Sequence, residues 1–279
     1  MRLLLIEKKT AEQYETRNEI GEHNHDDDGD EVDNHEDGEE NPLIRKEEGE
    51  AYMVPPNQPK WIKTLPILYC LKDPRLLTAL LLALVQATLL STFDATIPTE
   101  AQELFDFDSL KAGLLFICLS LPYVLLGPIA GWAVDRYGTK PAAVVGFGYL
   151  VPVLVLLRLA HRGGTSQIIE YCALLALCGV GLAVIGSPSI VEASFVVQRY
   201  DKANPDFFGA NGPYATLYAI NSMVFSAGLT LGPLLSGSLR DAIGYGNMNA
   251  VVAGLCLITA SLSFVYIGGK PRVLRRKGA

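Results

Sequence analysis

Histidine and cysteine, the residues on which most metal and nucleophile chemistry depends, are scarce: 279 residues hold four histidines and five cysteines. The cysteines (Cys70, Cys118, Cys172, Cys178 and Cys256) are odd in number and scattered inside or beside apolar runs. That pattern argues against a disulfide framework or a zinc site and marks them as packing residues. His161 stands alone in a loop, and His23, His25 and His35 lie among carboxylates without ligand spacing, so a solvated acidic segment outweighs a metal site. No phosphate-binding loop and no nucleophile triad is present, which leaves no basis for an enzyme or a bound cofactor. There is no N-x-S/T sequon, and the apolar run in the opening "MRLLLIEKKTAEQYE" is too short for a secretory signal.

Charge is also missing from most of the chain. Residues 1–50 contain 18 of the 30 acidic residues and 6 of the 23 basic ones, so they carry −12 and residues 51–279 carry +5, together the −7 of the whole. The acidic balance is therefore a property of one segment, and gives no reason to expect a nucleic-acid partner. From Gly21 to Glu50 the sequence is rich in Asp, Glu, Asn and Gly and almost free of aromatics. Such a stretch cannot bury enough apolar surface to offset its ordering entropy, and it reads as disordered.

The rest is apolar: 49% of all residues are hydrophobic, and mean hydropathy is +0.25. After Trp61, six segments approach the roughly 20 residues needed to cross a bilayer. They fall at about 76–98, 110–132, 141–160, 171–197, 214–238 and 248–268. The fold class is thus an all-α membrane protein of six transmembrane helices. A largely disordered cytoplasmic segment (1–60) precedes the membrane domain (61–269), and a basic tail (270–279) follows it. Thirteen Lys and Arg flank one side of the spans, and four (Lys111, Arg158, Arg162, Arg240) flank the other. The positive-inside rule then places both termini in the cytoplasm, with the closing "KPRVLRRKGA" suited to anionic lipid.

Between the second and third spans, "GPIAGWAVDRYGTKP" (127–141) interrupts the apolar text with charge and glycine. Gly127 and Gly131 have the spacing for close helix approach. Gly138 permits a tight reversal, and Pro141 suits the first turn of the next helix. Asp135 and Arg136 either form a charge latch that helix rocking breaks, or are plain interfacial charges.

"GWAVDRYGTK" resembles the loop signature G-x-x-x-D-R-x-G-x-K of the major facilitator superfamily. That resemblance implies a gating loop of Gly131, Asp135, Arg136, Gly138 and Lys140. "FDATIP", "PYVLLGPIAG" and "GPYATLYAINSMVFSAGLTLGPLLSGSLRDAIGY" resemble the seventh, eighth and eleventh helices of vesicular amine transporters and related drug/proton antiporters. The likeness covers about residues 70–268 and implies helices seven to twelve, one half of the fold. "MRLLLIEKK" is similar to the exit from helix six in fungal members, so the acidic segment would be the interdomain linker.

An ionisable residue inside a span is costly and is a functional candidate by default. Asp94, in "STFDATIP", matches an acidic position of helix seven in the amine transporters, which implies a role in binding or coupling; alternatively it reaches water at the span end. Glu192 is either a second protonation site, a partner for a basic residue on another helix, or an interfacial residue. The acidic residues expected in helices ten and eleven appear here as Gly186 and Ser222, a departure that bears on the amine substrate and on stoichiometry. Tyr123, Tyr218 and Phe225 match cavity-lining aromatics in the resembled family and suit an organic cation, and Asn221 adds a hydrogen bond. Gly228, Gly232, Pro233 and Gly237 form a helix-packing face with a bend, and "SPS" at 187–189 is a flexible point.

These features point to the carboxy-terminal half of a transporter that exports small organic, drug-like or cationic molecules against protons by alternating access. Its partners would be the substrate, protons, the lipid bilayer of the plasma or a vacuolar or vesicular membrane, and a missing amino-terminal six-helix half. The competing reading is a membrane-anchored regulator of an intact transporter that uses the acidic segment for docking.

Overall fold

The computed structural model describes residues 52–55, 66–204, 207–209 and 212–268. All lie within one unit, Glu47–Ala279. The acidic stretch 21–50 with His23, His25 and His35, and the basic tail 270–279, fall outside the described residues.

Helices form wherever the apolar runs were long enough. A short helix α1 (Ile67–Cys70) precedes α2 (Pro74–Phe105), α3 (Ser109–Tyr137) and α4 (Thr139–Leu156, continued by a 3-10 turn, Leu157–Leu159). Then come α5 (Thr165–Ile185), α6 (Pro188–Ala203), α7 (Tyr214–Ile243) and α8 (Tyr245–Tyr266). No strand occurs among the described residues. Six helical stretches are long and apolar enough to cross a membrane, with α5 and α6 together making the fourth.

The caps explain several boundaries. The Asp73 carboxylate accepts from the Arg75 backbone N–H at 2.8 Å, and Pro74 opens α2, a combination that satisfies one orphan donor and removes another. Gly138 (φ +90°) both ends α3 and begins α4, and Gly244 (φ +81°) does the same between α7 and α8. A side chain is strained at these angles, so glycine makes both hairpins possible without a longer loop.

Two boundaries differ from the sequence expectation. The first span continues past residue 98 to Phe105, because Pro98 is accommodated inside the helix and the charged turn beyond it finds a cation on α7. The fourth span is not one helix: α5 ends at Ile185, and α6 starts at Pro188, whose missing N–H suits a helix's first turn. The break falls at the "SPS" flexible point.

Packing is organised around α2. Its most apolar stretch is 78% buried, against 17% for both α3 and α7. α7 packs along α2, α5 along α3, and α8 along α4. The main core gathers Phe93, Ile97, Phe147, Leu150, Tyr171 and Cys178. A second cluster at the Gly138 end gathers Ile67, Cys70, Leu76, Val196, Val197 and Tyr200. Burial, with Asp73 nearby, pushes the Cys70 thiol up to about 12, so it packs as a small apolar group. Hydroxyls inside the spans are satisfied locally: Thr88 donates to the Leu84 carbonyl at 2.8 Å, and Thr96 to that of Thr92 at 2.8 Å.

The α2–α7 contact depends on small residues. A Cβ at Gly228 would meet the Leu84 carbonyl and Ala87, and one at Gly232 would meet Ser91 Oγ and the Thr88 carbonyl. Gly237 has open space around it, as does Gly127, while Gly131 has only Ser187 Oγ nearby, at 3.9 Å. Close approach of α2 and α7 is thus carried by Gly228 and Gly232, and that of α3 and α5 by Gly179, whose Cβ would meet the Leu119 carbonyl, rather than by Gly127 or Gly131. Gly232→Val is expected to cost about 1–3 kcal/mol through overpacking, read as a lowered unfolding midpoint in detergent. Gly237→Ala should leave the midpoint unchanged, and equal effects at both sites would contradict this packing.

Candidate functional site

The bundle has a signature-loop end, which carries Gly138, and an opposite, far end. On α2, so largely covered, Asp94 is exposed, with Ala95 and Pro98 partly so. α2 therefore keeps one open stripe, and its carboxylate lies on it. Because α2 extends to Phe105, Asp94 is well inside the helix rather than at its end.

On α7, Tyr218 is half-exposed, while Asn221 and Phe225 are intermediate. The Asn221 Oδ1 is buried without a hydrogen-bond partner among the described residues. Pro233 is exposed. The two helices run parallel: Gly228 lies against Leu84 and Thr88, and Arg240 against Glu100. At 1.5 Å per residue this register sets Asp94 roughly 15 Å farther along the axis than Phe225. The structure thus does not bring Asp94 level with the α7 aromatics. Tyr123 is half-buried on α3 and packs against the main core.

Glu192 is fully buried on α6. It accepts from the Arg75 guanidinium at the start of α2, from the Thr139 hydroxyl at the start of α4, and from the Gly268 backbone N–H just beyond α8 at 3.3 Å. One carboxylate thereby joins four spans at the signature-loop end. A buried charge needs this many donors, since desolvation of an unpaired ion is expensive. Arg75 is itself nine-tenths buried, and its Nη1 has no hydrogen-bond partner among the described residues.

The signature loop takes part in this hub through Thr139. Asp135 and Arg136 face outward on the last turn of α3, and Asp135 has no ion pair among the described residues. Arg136 lies over the Trp132 ring at 5.5 Å, and Lys140 over that of Phe264 at 5.1 Å. The first contact occupies a cation on an exposed aromatic; the second ties the α4 start to α8.

Sequence reasoning missed two arrangements. At the far end, Arg240 of α7 pairs with Glu100 (3.2 Å) and with Glu103, both on α2. In the sequence Arg240 reads only as a flanking charge, although Glu100 and Glu103, three residues apart on one helix face, signal a cation-binding edge. The Glu100 side chain is 7% exposed and that of Glu103 56%. Arg240→Ala should therefore cost about 1–3 kcal/mol by stranding Glu100. Glu103→Ala should cost about 0–1 kcal/mol. Urea or thermal unfolding of the two variants checks the order, and a reversed order contradicts the assignment. The second arrangement is Gln86 on α2, 6% exposed, with its amide nitrogen 4.0 Å from where a Gly186 Cβ would stand. A buried carboxamide beside the α5–α6 break offers a donor and an acceptor where the helix interrupts its own ladder.

Six apolar spans with ionisable residues held inside them define a multi-pass integral membrane protein. Its family is the Major Facilitator Superfamily, to which the chain belongs: the family profile matches residues 33–204 and 79–279. It is 50% identical over 210 residues to the MFS-type transporter ppzB of Metarhizium majus, covering 74% of this chain and 46% of that protein. An MFS-type transporter of Schizosaccharomyces pombe is 35% identical over 229 residues, 81% of this chain and 51% of the relative. The human chromaffin granule amine transporter is 23% identical over 205 residues, 71% and 36% of the respective chains. The chain spans about half the length of the curated relatives it matches.

Proposed function

We propose that this chain forms one wall of a transporter that exports small organic molecules in exchange for protons, the other wall being an amino-terminal six-helix half. The observation that carries this reading is the open face of the bundle. α3 and α7 are 17% buried along apolar stretches, exposing Ile117, Leu121, Val124, Met223 and Leu234, and the α2 carboxylate Asp94 is exposed as well. A second half covering α3 and α7 would enclose a path along the bundle, with Tyr218, Asn221 and Phe225 towards one end of it as the place for an organic substrate and Asp94 roughly 15 Å farther along.

In this account Asp94 takes up a proton and a cationic substrate alternately, so that binding of one releases the other; the likeness to the chromaffin granule amine transporter supports a cationic ligand. Asp135 and Arg136, turned outward, latch onto the other half during rocking. Both termini are cytoplasmic, and the acidic segment is the interdomain linker. The test is gradient-driven transport: the full-length protein in proteoliposomes is offered a panel of fluorescent organic cations and neutral compounds, with and without an imposed pH gradient. Accumulation that collapses when the gradient is dissipated is the expected result, and gradient-independent accumulation would overturn proton coupling.

A further inference from the structure

Residues Tyr52–Pro55 precede the described helices and are fastened to the signature-loop end. Asn204, the residue after α6, directs its side chain at their backbone. Its Oδ1 accepts from the Val54 N–H at 2.9 Å, and its Nδ2 donates to the Tyr52 carbonyl at 2.8 Å. The same Nδ2 also donates to the Tyr200 carbonyl at 3.0 Å, which orients the carboxamide while closing α6. Bonding a carbonyl and an N–H two residues apart is what a neighbouring β-strand does, and it is blind to side-chain identity.

Side chains supply the register. Tyr52 meets Tyr200 edge-to-face at 5.0 Å and 88°, and the Arg199 guanidinium lies 5.9 Å over the Tyr52 ring. Val54 packs on the cluster of Ile67, Leu76, Val196 and Val197, while Met53 between them is 63% exposed. The alternation of inward, outward and inward side chains is that of an extended strand. Tyr52 also lies within electrostatic reach of Arg75, the cation of the Glu192 hub.

We infer that Asn204, Tyr200 and Arg199 form a peptide-docking site whose ligand is this chain's own extended aromatic-x-aliphatic segment, Tyr52–Val54. The site bolts the carboxy-terminal border of the acidic segment to α6, next to the buried hub that joins α2, α4, α6 and α8. The inference stands on the docking geometry and is independent of the transport reading.

Hydrogen exchange on the full chain in detergent tests it. The Val54 amide should be protected in the unmodified protein and exchange at least about tenfold faster in Asn204→Ala, which removes a donor and an acceptor. Because Asn204 also closes α6, Val54→Pro serves as the second variant, deleting the strap's N–H while leaving α6 untouched. A labelled peptide of sequence EAYMVPPN should bind in trans to the Val54→Pro chain, whose site is vacated, and bind neither the unmodified chain nor Asn204→Ala. Unprotected Val54 in the unmodified protein, exchange unaltered by Asn204→Ala, or peptide binding indifferent to Asn204 would each overturn the assignment.

Discussion

Replacing Glu192 with alanine is expected to destabilise the bundle by about 3–5 kcal/mol, the cost of breaking a buried ion pair from one side. The Arg75 guanidinium would remain nine-tenths buried with its carboxylate gone, and the Thr139 hydroxyl and the Gly268 N–H would lose their acceptor together. Arg75→Ala alone should be nearly as damaging, because it leaves the fully buried Glu192 charge with two neutral donors. The double variant Arg75→Leu/Glu192→Leu removes both charges and refills much of the volume. It should recover most of the loss, since a buried pair and an apolar pair are often of similar stability. Unfolding free energies of the three variants in detergent provide the measurement. A Glu192→Ala protein within about 0.5 kcal/mol of the original, the range of an uninvolved surface change, would show that the hub does not hold the spans.

The second large effect concerns function, with stability left intact. Asp94→Asn should abolish gradient-driven transport by the full-length protein, because a carboxamide occupies the same space but cannot carry a proton. Asp94 is exposed on α2 and has no ion pair among the described residues. Its loss should therefore change unfolding stability by no more than about 0.5 kcal/mol. Asp94→Glu should retain part of the activity, since the titrating group survives on a longer stem. Lost transport with unchanged stability separates Asp94 from Glu192, whose removal acts on the fold. Full transport by Asp94→Asn would move proton coupling to another residue.

The difference between these carboxylates was only half visible in the sequence. Both read as costly charges inside apolar runs, and the six runs themselves were legible because a bilayer demands about 20 apolar residues at a time. The outcome for each carboxylate depends on a partner elsewhere in the chain. Arg75 lies 117 residues from Glu192, and its side chain reaches the carboxylate only because α2 and α6 pack together. The extension of α2 to Phe105 has the same origin, since Glu100 and Glu103 belong inside the helix only once Arg240, 140 and 137 residues away, is beside them.

Local signals served better where the cause was local. Gly138 and Gly244 mark reversals that a left-handed or extended glycine alone can make, and Pro188 after Ser187 announces the break between α5 and α6. The signature "GWAVDRYGTK" located the hairpin but not its contacts: Thr139, its least conspicuous polar residue, joins the buried hub, while Asp135 and Arg136 face outward. The docked segment Tyr52–Pro55 left no sequence trace either, because Asn204 reads its backbone and backbone groups are the same everywhere.

The central claim is that the open stripe of α2 borders a water-accessible transport path inside a two-halved protein. Its most direct test is the labelling of a single cysteine at Ala95, beside Asp94, in a cysteine-free full-length protein embedded in sealed vesicles. A water-soluble, membrane-impermeant maleimide should react there, and its rate should change when the pH gradient across the vesicle is reversed. Labelling only by a lipid-soluble maleimide, at a rate indifferent to the gradient, would place the stripe against lipid and contradict the account.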